Sequence, residues 1–123
     1  IMSKEIKQKW IDALKSGNYL QGVERLKKLD EDTQEIHYCC LGVLCEICEK
    51  ESDKAPTDVK ENTYCFHFEN TSPRTQYPPV TFLKKTFDMR LSRSEYLVGR
   101  LATMNDDEEA SFETIADWIE ENL

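Results

Sequence analysis

The sequence predicts a single α+β domain, mostly helical, with a small antiparallel β-sheet. The chain has 123 residues, which is the size of one domain with one hydrophobic core. Four segments carry apolar residues at helical spacing, and shorter segments bounded by turn residues read as strands. No apolar run approaches the roughly 20 residues that a membrane-crossing helix needs, so no membrane contact is expected.

The first third of the chain predicts a helix followed by a hairpin. Ser3 is expected to cap the helix, and Gly17-Asn18 should end it because both residues tolerate a left-handed backbone. Residues 24–29 and 35–38 flank a polar turn and are predicted to pair as a hairpin. The buried stripe of the helix is expected to comprise Ile6, Trp10, Ala13 and Leu14.

The middle third predicts the core. Residues 39–49 are apolar on nearly every side, which is typical of a buried helix, and Gly42 within it suggests that another backbone packs closely there. Residues 49–62 are predicted to form a surface loop. Residues 63–68 alternate, with Tyr64, Phe66 and Phe68 on one face, and predict a half-buried strand. Residues 70–79 should be a loop, and residues 80–87 a strand or a short helix.

The last third predicts two helices. Ser92 and Glu95 have the spacing of a capping box, which would open a helix running to about Met104. Ser111 is expected to cap the last helix. An acidic turn, residues 105–110, would join the two.

The net charge of −8 lies entirely at the C-terminal end. Residues 1–100 hold 16 basic and 16 acidic side chains, whereas the last 23 residues hold eight acidic ones and no Lys or Arg. A nonspecific nucleic-acid binder needs surplus cations, so no DNA or RNA polymer is expected as a partner. An acidic solvated helix face is the favoured interpretation of this end. The alternative is an acidic DNA mimic that inhibits a bacterial defence nuclease.

Five cysteines with no secretory signal favour a reducing cytoplasm over a disulfide framework. Cys45, Cys48, Cys65 and His67 could form a four-ligand zinc site. The favoured interpretation is that the cysteines at helical spacing are buried as small apolar side chains, with no metal and no cofactor.

Standard catalytic motifs are missing, so the chain is not expected to be an enzyme. Arginines are more informative, because Arg93, Tyr96 and Arg100 share one face of the predicted helix. Guanidinium groups bind phosphates, and Phe82, Phe87 and Tyr96 could stack on a base. The alternative is that these arginines pair with the acidic segment beside them.

Four motifs in order resemble a family of small phage and prophage proteins. They are W-x-x-A-L-x-S-G-x-Y at 10–19, Y-C-C-L-G-V-L-C at 38–45, L-x-x-x-N-D at 101–106 and S-F-x-x-I-A-x-W-I-E at 111–120. The branch that the chain resembles most is the phage anti-defence "sponge" that defeats the Thoeris system. Such proteins bind a cyclic ADP-ribose isomer made by a TIR-domain protein and leave it intact, and some also hold cyclic oligonucleotides.

The resemblance implies an immune-evasion protein of the host bacterial cytoplasm that sequesters glycocyclic ADP-ribose as a homodimer or larger homo-oligomer. Asn105 and Asp106 stand in the matching N-D motif and would bind ribose or base edges. The chemistry of such a ligand further suggests stacking on Phe82 and Tyr96 and phosphate contacts from Arg90 and Arg100. Many relatives carry a glycine after the N-D pair, whereas residues 105–110 here contain none, so this loop is expected to follow a different path.

Overall fold

The computed structural model describes residues 3–52 and 58–123. It is a small α+β domain in which helices pack together beside one mixed sheet. The described elements are α1 (Ser3–Lys15), β1 (Leu20–Gln21), β2 (Lys27–Leu29), β3 (Ile36–Tyr38), α2 (Cys40–Ser52), β4 (Asp58–Lys60), β5 (Thr63–Cys65), α3 (Phe82–Phe87), α4 (Leu91–Asp106) and α5 (Phe112–Asn122).

Helix α1 confirms the prediction for the N-terminal segment. It begins at Ser3, which is therefore inside the helix rather than before it, and Gly17 follows its end with φ 79°. Trp10 is fully buried, and its indole Nε1 donates to the Cys40 carbonyl at 2.9 Å. The predicted stripe is buried except for Ala13, which is partly buried, and Ile11 joins it.

The sheet has the strand order β1-β3-β2-β5-β4. The predicted hairpin is confirmed, because β2 and β3 pair antiparallel with Lys28 opposite His37. The small sheet was predicted to be antiparallel and is mixed: β2, β3, β4 and β5 pair antiparallel, whereas β1 pairs parallel to β3. Strand β3 lies between β1 and β2 in the sheet, so the chain crosses over after β1 before it enters β2. Gly22 N donates to Tyr38 O at 2.7 Å, which extends the pairing of β1 with β3.

The surface loop predicted for residues 49–62 is only partly right. Helix α2 continues to Ser52, and Asp58–Lys60 forms a strand that pairs antiparallel with β5. Glu61 and Asn62 make the intervening turn with φ 52° and 65°, values typical of a two-residue hairpin turn. Neither residue is glycine, so the usual turn signal is missing from the sequence. Pro56 lies outside the described residues.

Helix α2 is the centre of the core, as predicted. Every hydrophobic residue between positions 39 and 45 is at most 6% exposed. Helix α2 contacts both α1 and α4. A Cβ at Gly42 would lie 1.7 Å from the Leu26 carbonyl oxygen, which confirms the predicted close backbone approach. The strand predicted for residues 63–68 is shorter, since β5 ends at Cys65. Phe66, directly after it, is buried and pairs with Arg74 through two backbone hydrogen bonds.

The C-terminal helices correct one predicted cap. Residues 82–87 are a helix, which decides between the two possibilities left open. Helix α4 begins after Arg90, not Ser92: Asp88 ends α3 in a left-handed conformation and Arg90 is extended, so α4 starts at once. Ser111 does cap α5, accepting from Thr114 N at 3.2 Å.

Candidate functional site

Asn105, predicted to contact ligand, is buried inside the domain with 1% of its surface exposed. Its Oδ1 accepts hydrogen bonds from Cys40 N at 3.2 Å and Gln21 Nε2 at 3.0 Å. Its Nδ2 donates to Gly22 O at 2.8 Å and to Asp106 Oδ1 at 2.9 Å. The side-chain amide therefore fastens the chain after β1 to the start of α2.

Asp106 continues the same network toward the surface. Its Oδ1 accepts from Glu24 N at 3.0 Å as well as from Asn105. Glu24 has φ 63°, a left-handed conformation that costs free energy in a residue other than glycine, and this hydrogen bond helps to hold it. Asn105 and Asp106 thus form a clamp on residues 21–24, which we call the N-D clamp.

Arg100 pairs with the acidic turn, as the alternative interpretation held. Its guanidinium donates to both carboxylate oxygens of Glu108, at 2.6 and 3.3 Å, and this contact raises the pKa of Arg100. Arg93 donates to the Asn122 carbonyl at the end of α5. Arg90 is exposed at the start of α4. Tyr96 is 55% exposed, with the Arg93 guanidinium 6.0 Å from its ring centroid.

Phe82 lies on α3, and among the described residues no arginine lines the cavity beside it. Its ring packs edge-on against Phe68 with centroids 5.1 Å apart, beside a small cavity of about 230 Å³. Within the part of the chain that the structure describes, the six predicted ligand-binding residues do not line one common cavity. These are Phe82, Arg90, Tyr96, Arg100, Asn105 and Asp106. Their contact with a ligand stays a prediction, and the structure gives the N-D clamp a positioning role.

A cavity of about 650 Å³ lies over the outer face of the sheet, and we call it the sheet-face cavity. Lys28 and His37 are directly opposite each other on β2 and β3, so their side chains lie on the same face. Arg25 joins them in the lining. This volume is within the range of small-molecule sites, and three nitrogen-bearing side chains suit an anionic ligand.

The opposite face of the same strands explains why Lys28 and His37 point outward. Lys27 and Tyr38 alternate with them and face α2, where Lys27 Nζ lies 2.8 Å and Tyr38 Oη 2.7 Å from Glu46 Oε2. Lys27 Nζ also lies 4.4 Å from the centroid of the Tyr64 ring. This half-buried cluster fixes the strand register, because a shift by one residue would exchange the two faces.

Gly22 lets the wall of the sheet-face cavity approach the sheet. A Cβ built on Gly22 would lie 2.9 Å from His37 Cβ, closer than real Cβ contacts. The N-D clamp holds the same segment from below through the Gly22 carbonyl. Gly22 and the clamp therefore set the position of the wall that carries Val23 and Arg25.

Acidic side chains line the other end of the sheet-face cavity, where two turns meet. Asp30, Glu31 and Asp32 come from the β2–β3 turn, and Glu61 comes from the β4–β5 turn. The turns are joined, because Asn62 Nδ2 donates to Glu31 Oε1 and Leu29 N donates to Asn62 O at 2.7 Å. Asp30 Oδ1 accepts from Asp32 N at 2.9 Å, which stabilises the first turn.

A second groove of about 540 Å³ runs between α4 and residues 74–80. Its floor is apolar, with Val98, Gly99 and Ala102 on the α4 side. Four carboxylates line it, and Arg74 Nε is buried within the described residues without a hydrogen-bond partner. The sheet-face cavity is also lined by four carboxylates, but among its described residues the groove has a single basic side chain, Arg74, against Arg25 and Lys28 there, so it is the poorer match for phosphate. Its carboxylates are those of Glu24, Glu95, Asp106 and Asp107.

Three of the five cysteines, Cys39, Cys40 and Cys45, are buried and unsuited to nucleophilic chemistry. Burial raises the pKa of Cys39 to about 12 and raises the pKa of Cys40 and Cys45 well above the ordinary thiol value. A thiol in this state carries almost no thiolate at neutral pH. Within residues 3–52 and 58–123, no group of three or more His, Cys, Asp or Glu side chains could hold a metal ion.

Sequence reasoning missed Arg25, Lys28 and His37. They are spread over 13 positions and belong to no motif, whereas the three arginines between positions 90 and 100 formed a visible cluster. The alternation of Lys27 and Lys28 against His37 and Tyr38 in the predicted hairpin was the available signal, because alternate residues face opposite sides of a strand.

Taken together, the chain is a small α+β domain with a polar cavity on the outer face of its sheet. It belongs to the family whose model is described as a domain of unknown function, DUF8296, which matches residues 2–123. No curated protein and no solved structure matches it. None of the described helices is both long enough and apolar enough to cross a membrane.

Proposed function

We propose that this protein binds and sequesters a small phosphorylated nucleotide signal without degrading it. The ligand class is the one that the motif resemblance implies, a cyclic ADP-ribose isomer such as glycocyclic ADP-ribose. In this proposal the protein acts in the host bacterial cytoplasm as a phage immune-evasion factor and, like the proteins that it resembles, as a homodimer or larger homo-oligomer. Removal of the signal would keep the Thoeris effector inactive.

The observation that carries the proposal is the convergence of Arg25, Lys28 and His37 on the sheet-face cavity. Neither Arg25 nor Lys28 has a carboxylate partner within 4.0 Å among the described residues. The one hydrogen bond given for the Arg25 guanidinium goes to the neighbouring Glu24 carbonyl. Cations with no acidic partner are available to a pyrophosphate, which offers several acceptor oxygens to such donors.

Binding without turnover fits the side chains around the cavity. Hydrolysis of a nucleotide signal needs a nucleophile or a metal-bound water in reach of the phosphate. Among its described residues the lining holds no Cys, Ser or Thr side chain. Its carboxylates, Lys28 and His37 are the groups that could act as nucleophile or base, so the test below examines whether the recovered ligand is intact. The buried thiols lie in the core on and beside α2, and their raised pKa values oppose thiolate formation.

The test is a capture-and-release assay. The protein is mixed with glycocyclic ADP-ribose, free ligand is removed by filtration, and the protein is then heated to release what it holds. Depletion followed by recovery of the intact ligand supports the proposal. Depletion with an altered product would make the protein an enzyme, and no depletion would contradict the proposal.

Two sets of variants locate the site in the same assay. The double variant Arg25→Gln/Lys28→Gln should lose capture by at least about tenfold, because each charged hydrogen bond contributes roughly 1.5–3 kcal/mol. The matched control is Lys84→Gln, an exposed lysine of α3 that lines neither cavity. Loss of capture in Arg90→Ala or Arg100→Ala, with the Arg25/Lys28 variant unaffected, would move the site to the surface of α4.

A second candidate function rests on the exposed carboxylates of the C-terminal region. Seven of its eight acidic side chains are exposed. Among the described residues, Asp117 forms an ion pair with Lys15, and Glu108 forms one with Arg100. This surface would suit an acidic mimic of nucleic acid that inhibits a basic nuclease. It predicts capture of a basic protein that weakens as salt rises, with no nucleotide bound.

A further inference from the structure

The sheet-face cavity separates its charges along one strand. Asp30 directly follows β2 and continues its pairing, because Asp30 N donates to Glu35 O at 2.8 Å. Lys28 and Asp30 are two residues apart and so lie on the same side, about 7 Å from each other at roughly 3.4 Å per residue. Arg25 and His37 lie toward the Lys28 end. The carboxylates of Asp32 and Glu61 lie toward the end where the two turns meet.

This separation of positive and negative side chains does not fit a site for anions in general. Four acidic residues line the cavity against Arg25 and Lys28, so a bare phosphate would be repelled from one half of it. A matching ligand carries its negative charge at one end and hydrogen-bond donors at the other. A ribonucleotide has that polarity, because its phosphates are anionic and its 2′- and 3′-hydroxyls donate to carboxylates.

Resting on the proposed function, we propose that the sheet-face cavity recognises the ribose-phosphate part of its ligand. Arg25, Lys28 and His37 bind the phosphates, and the carboxylates of Asp32 and Glu61 accept hydrogen bonds from the ribose hydroxyls. The acidic end of the cavity begins at Asp30, about 7 Å from Lys28 at roughly 3.4 Å per residue, which is of the same order as the reach from a 5′-phosphate to the 2′,3′-diol of one nucleoside. The cavity thereby selects ribonucleotides over deoxyribonucleotides.

The same lining leaves the base little to bind. Apart from the His37 imidazole, no described residue that lines the cavity carries an aromatic ring. Stacking on aromatic side chains is the usual source of affinity for a nucleobase. The cavity should therefore tolerate a change of base much better than loss of a ribose hydroxyl.

The acidic side chains can be tested because they are not part of the fold's interior. Asp32 and Glu61 are exposed, and neither carboxylate has a hydrogen bond or ion pair among the described contacts. Asp32→Asn and Glu61→Gln keep shape and remove charge. Glu113→Gln, an exposed position on α5 outside the cavity, is the matched control.

Titration calorimetry measures the affinity for glycocyclic ADP-ribose of three proteins: wild type, Asp32→Asn/Glu61→Gln and Glu113→Gln. The affinities of wild type for ADP, UDP and 2′-deoxy-ADP are measured in the same way. We expect the double variant to weaken binding about tenfold, and ADP and UDP to bind alike and about tenfold more tightly than 2′-deoxy-ADP. All titrations are repeated with EDTA, since carboxylates could instead act through a divalent cation. Matching unfolding curves establish that the variants are folded.

The outcomes separate the two proposals. Unchanged affinity of the double variant, or a loss of ribose preference in EDTA, would overturn the ribose inference and leave capture of the signal standing. Failure to bind the cyclic ligand would overturn the proposed function, and the nucleotide comparison would then decide the inference: a preference for ADP and UDP over 2′-deoxy-ADP upholds it, and no preference or no binding overturns it.

Discussion

At the residue scale, Asn105 shows that a residue singled out by a sequence motif can have a structural role in the fold. The N-D pair was predicted from sequence to contact a ligand. In the structure the Asn105 amide is buried and forms hydrogen bonds with Cys40, Gln21 and Gly22. A one-dimensional motif gives the residue types but not the direction of the side chains. The need for a polar side chain at position 105 follows equally from a clamp and from a ligand site.

We predict that Asn105→Ala destabilises the domain by about 2–4 kcal/mol, because it leaves several buried donors and acceptors without partners. Chemical denaturation measures this change, with the exposed turn residue Asn18→Ala as control. A variant that kept wild-type stability and lost only ligand capture would contradict the clamp and restore Asn105 as a ligand contact.

The buried thiols make a second prediction at this scale, in the dependence of stability on pH. Burial raises the pKa of Cys39, Cys40 and Cys45 in the folded state, so an unfolded chain ionises first as pH rises. Their contribution to the free energy of unfolding is fully present below the ordinary thiol pKa. It is lost progressively above that value, by about 1.4 kcal/mol per thiol at one pH unit higher.

The measurement is denaturation under reducing conditions between pH 7.5 and 10.5. Tyr38, whose pKa is raised by burial and by its hydrogen bond to Glu46, adds to the loss above pH 10. Cys40→Ala should show a shallower decline than wild type, since one titrating thiol is gone. A free energy of unfolding that stays constant across this range would show that the thiols are not buried.

At the element scale, the sequence predicted helices better than strands. Apolar spacing along 10 or more residues is a strong signal, and α1, α2, α4 and α5 all follow it. Strands β1 and β4 have two and three residues, too short for an alternating pattern, and their placement depends on pairing with distant segments. The cap at Ser92 was misplaced because Arg90 and Leu91 carry no sequence signal for a helix start.

Two helical glycines test the packing of elements. Gly42→Ala should destabilise the domain by about 3 kcal/mol or more, the upper end of the cost of overpacking a core, because its Cβ would lie 1.7 Å from the Leu26 carbonyl oxygen. Gly99→Ala has open space around it and should stabilise α4 by about 0.5–1 kcal/mol. Thermal or chemical unfolding compares both with wild type.

The opposite signs of these two changes are the test. They distinguish a real close approach of α2 to Leu26 from a general intolerance of substitution in helices. Equal effects at the two positions, or a stable Gly42→Ala, would mean that α2 does not pack against the chain before β2 as described.

At the scale of the whole molecule, the charge distribution and the cavity have different origins. The acidic C-terminal region was evident from composition, and the structure exposes most of it. The sheet-face cavity was not predictable, because it is assembled from residues 21–32, 37 and 61–62, whose proximity depends on the strand order. The sequence therefore predicted the fold class and the core, and the structure supplied a different candidate site.

The most direct measurement is capture of glycocyclic ADP-ribose by wild type, Arg25→Gln/Lys28→Gln and Lys84→Gln, followed by heat release and mass analysis of the ligand. We predict that wild type and Lys84→Gln deplete the ligand and return it intact, and that the Arg25/Lys28 variant, folded by its unfolding curve, leaves it in solution. Equal capture by all three proteins would contradict the sheet-face cavity as the site. No capture by wild type would contradict sequestration of this signal altogether.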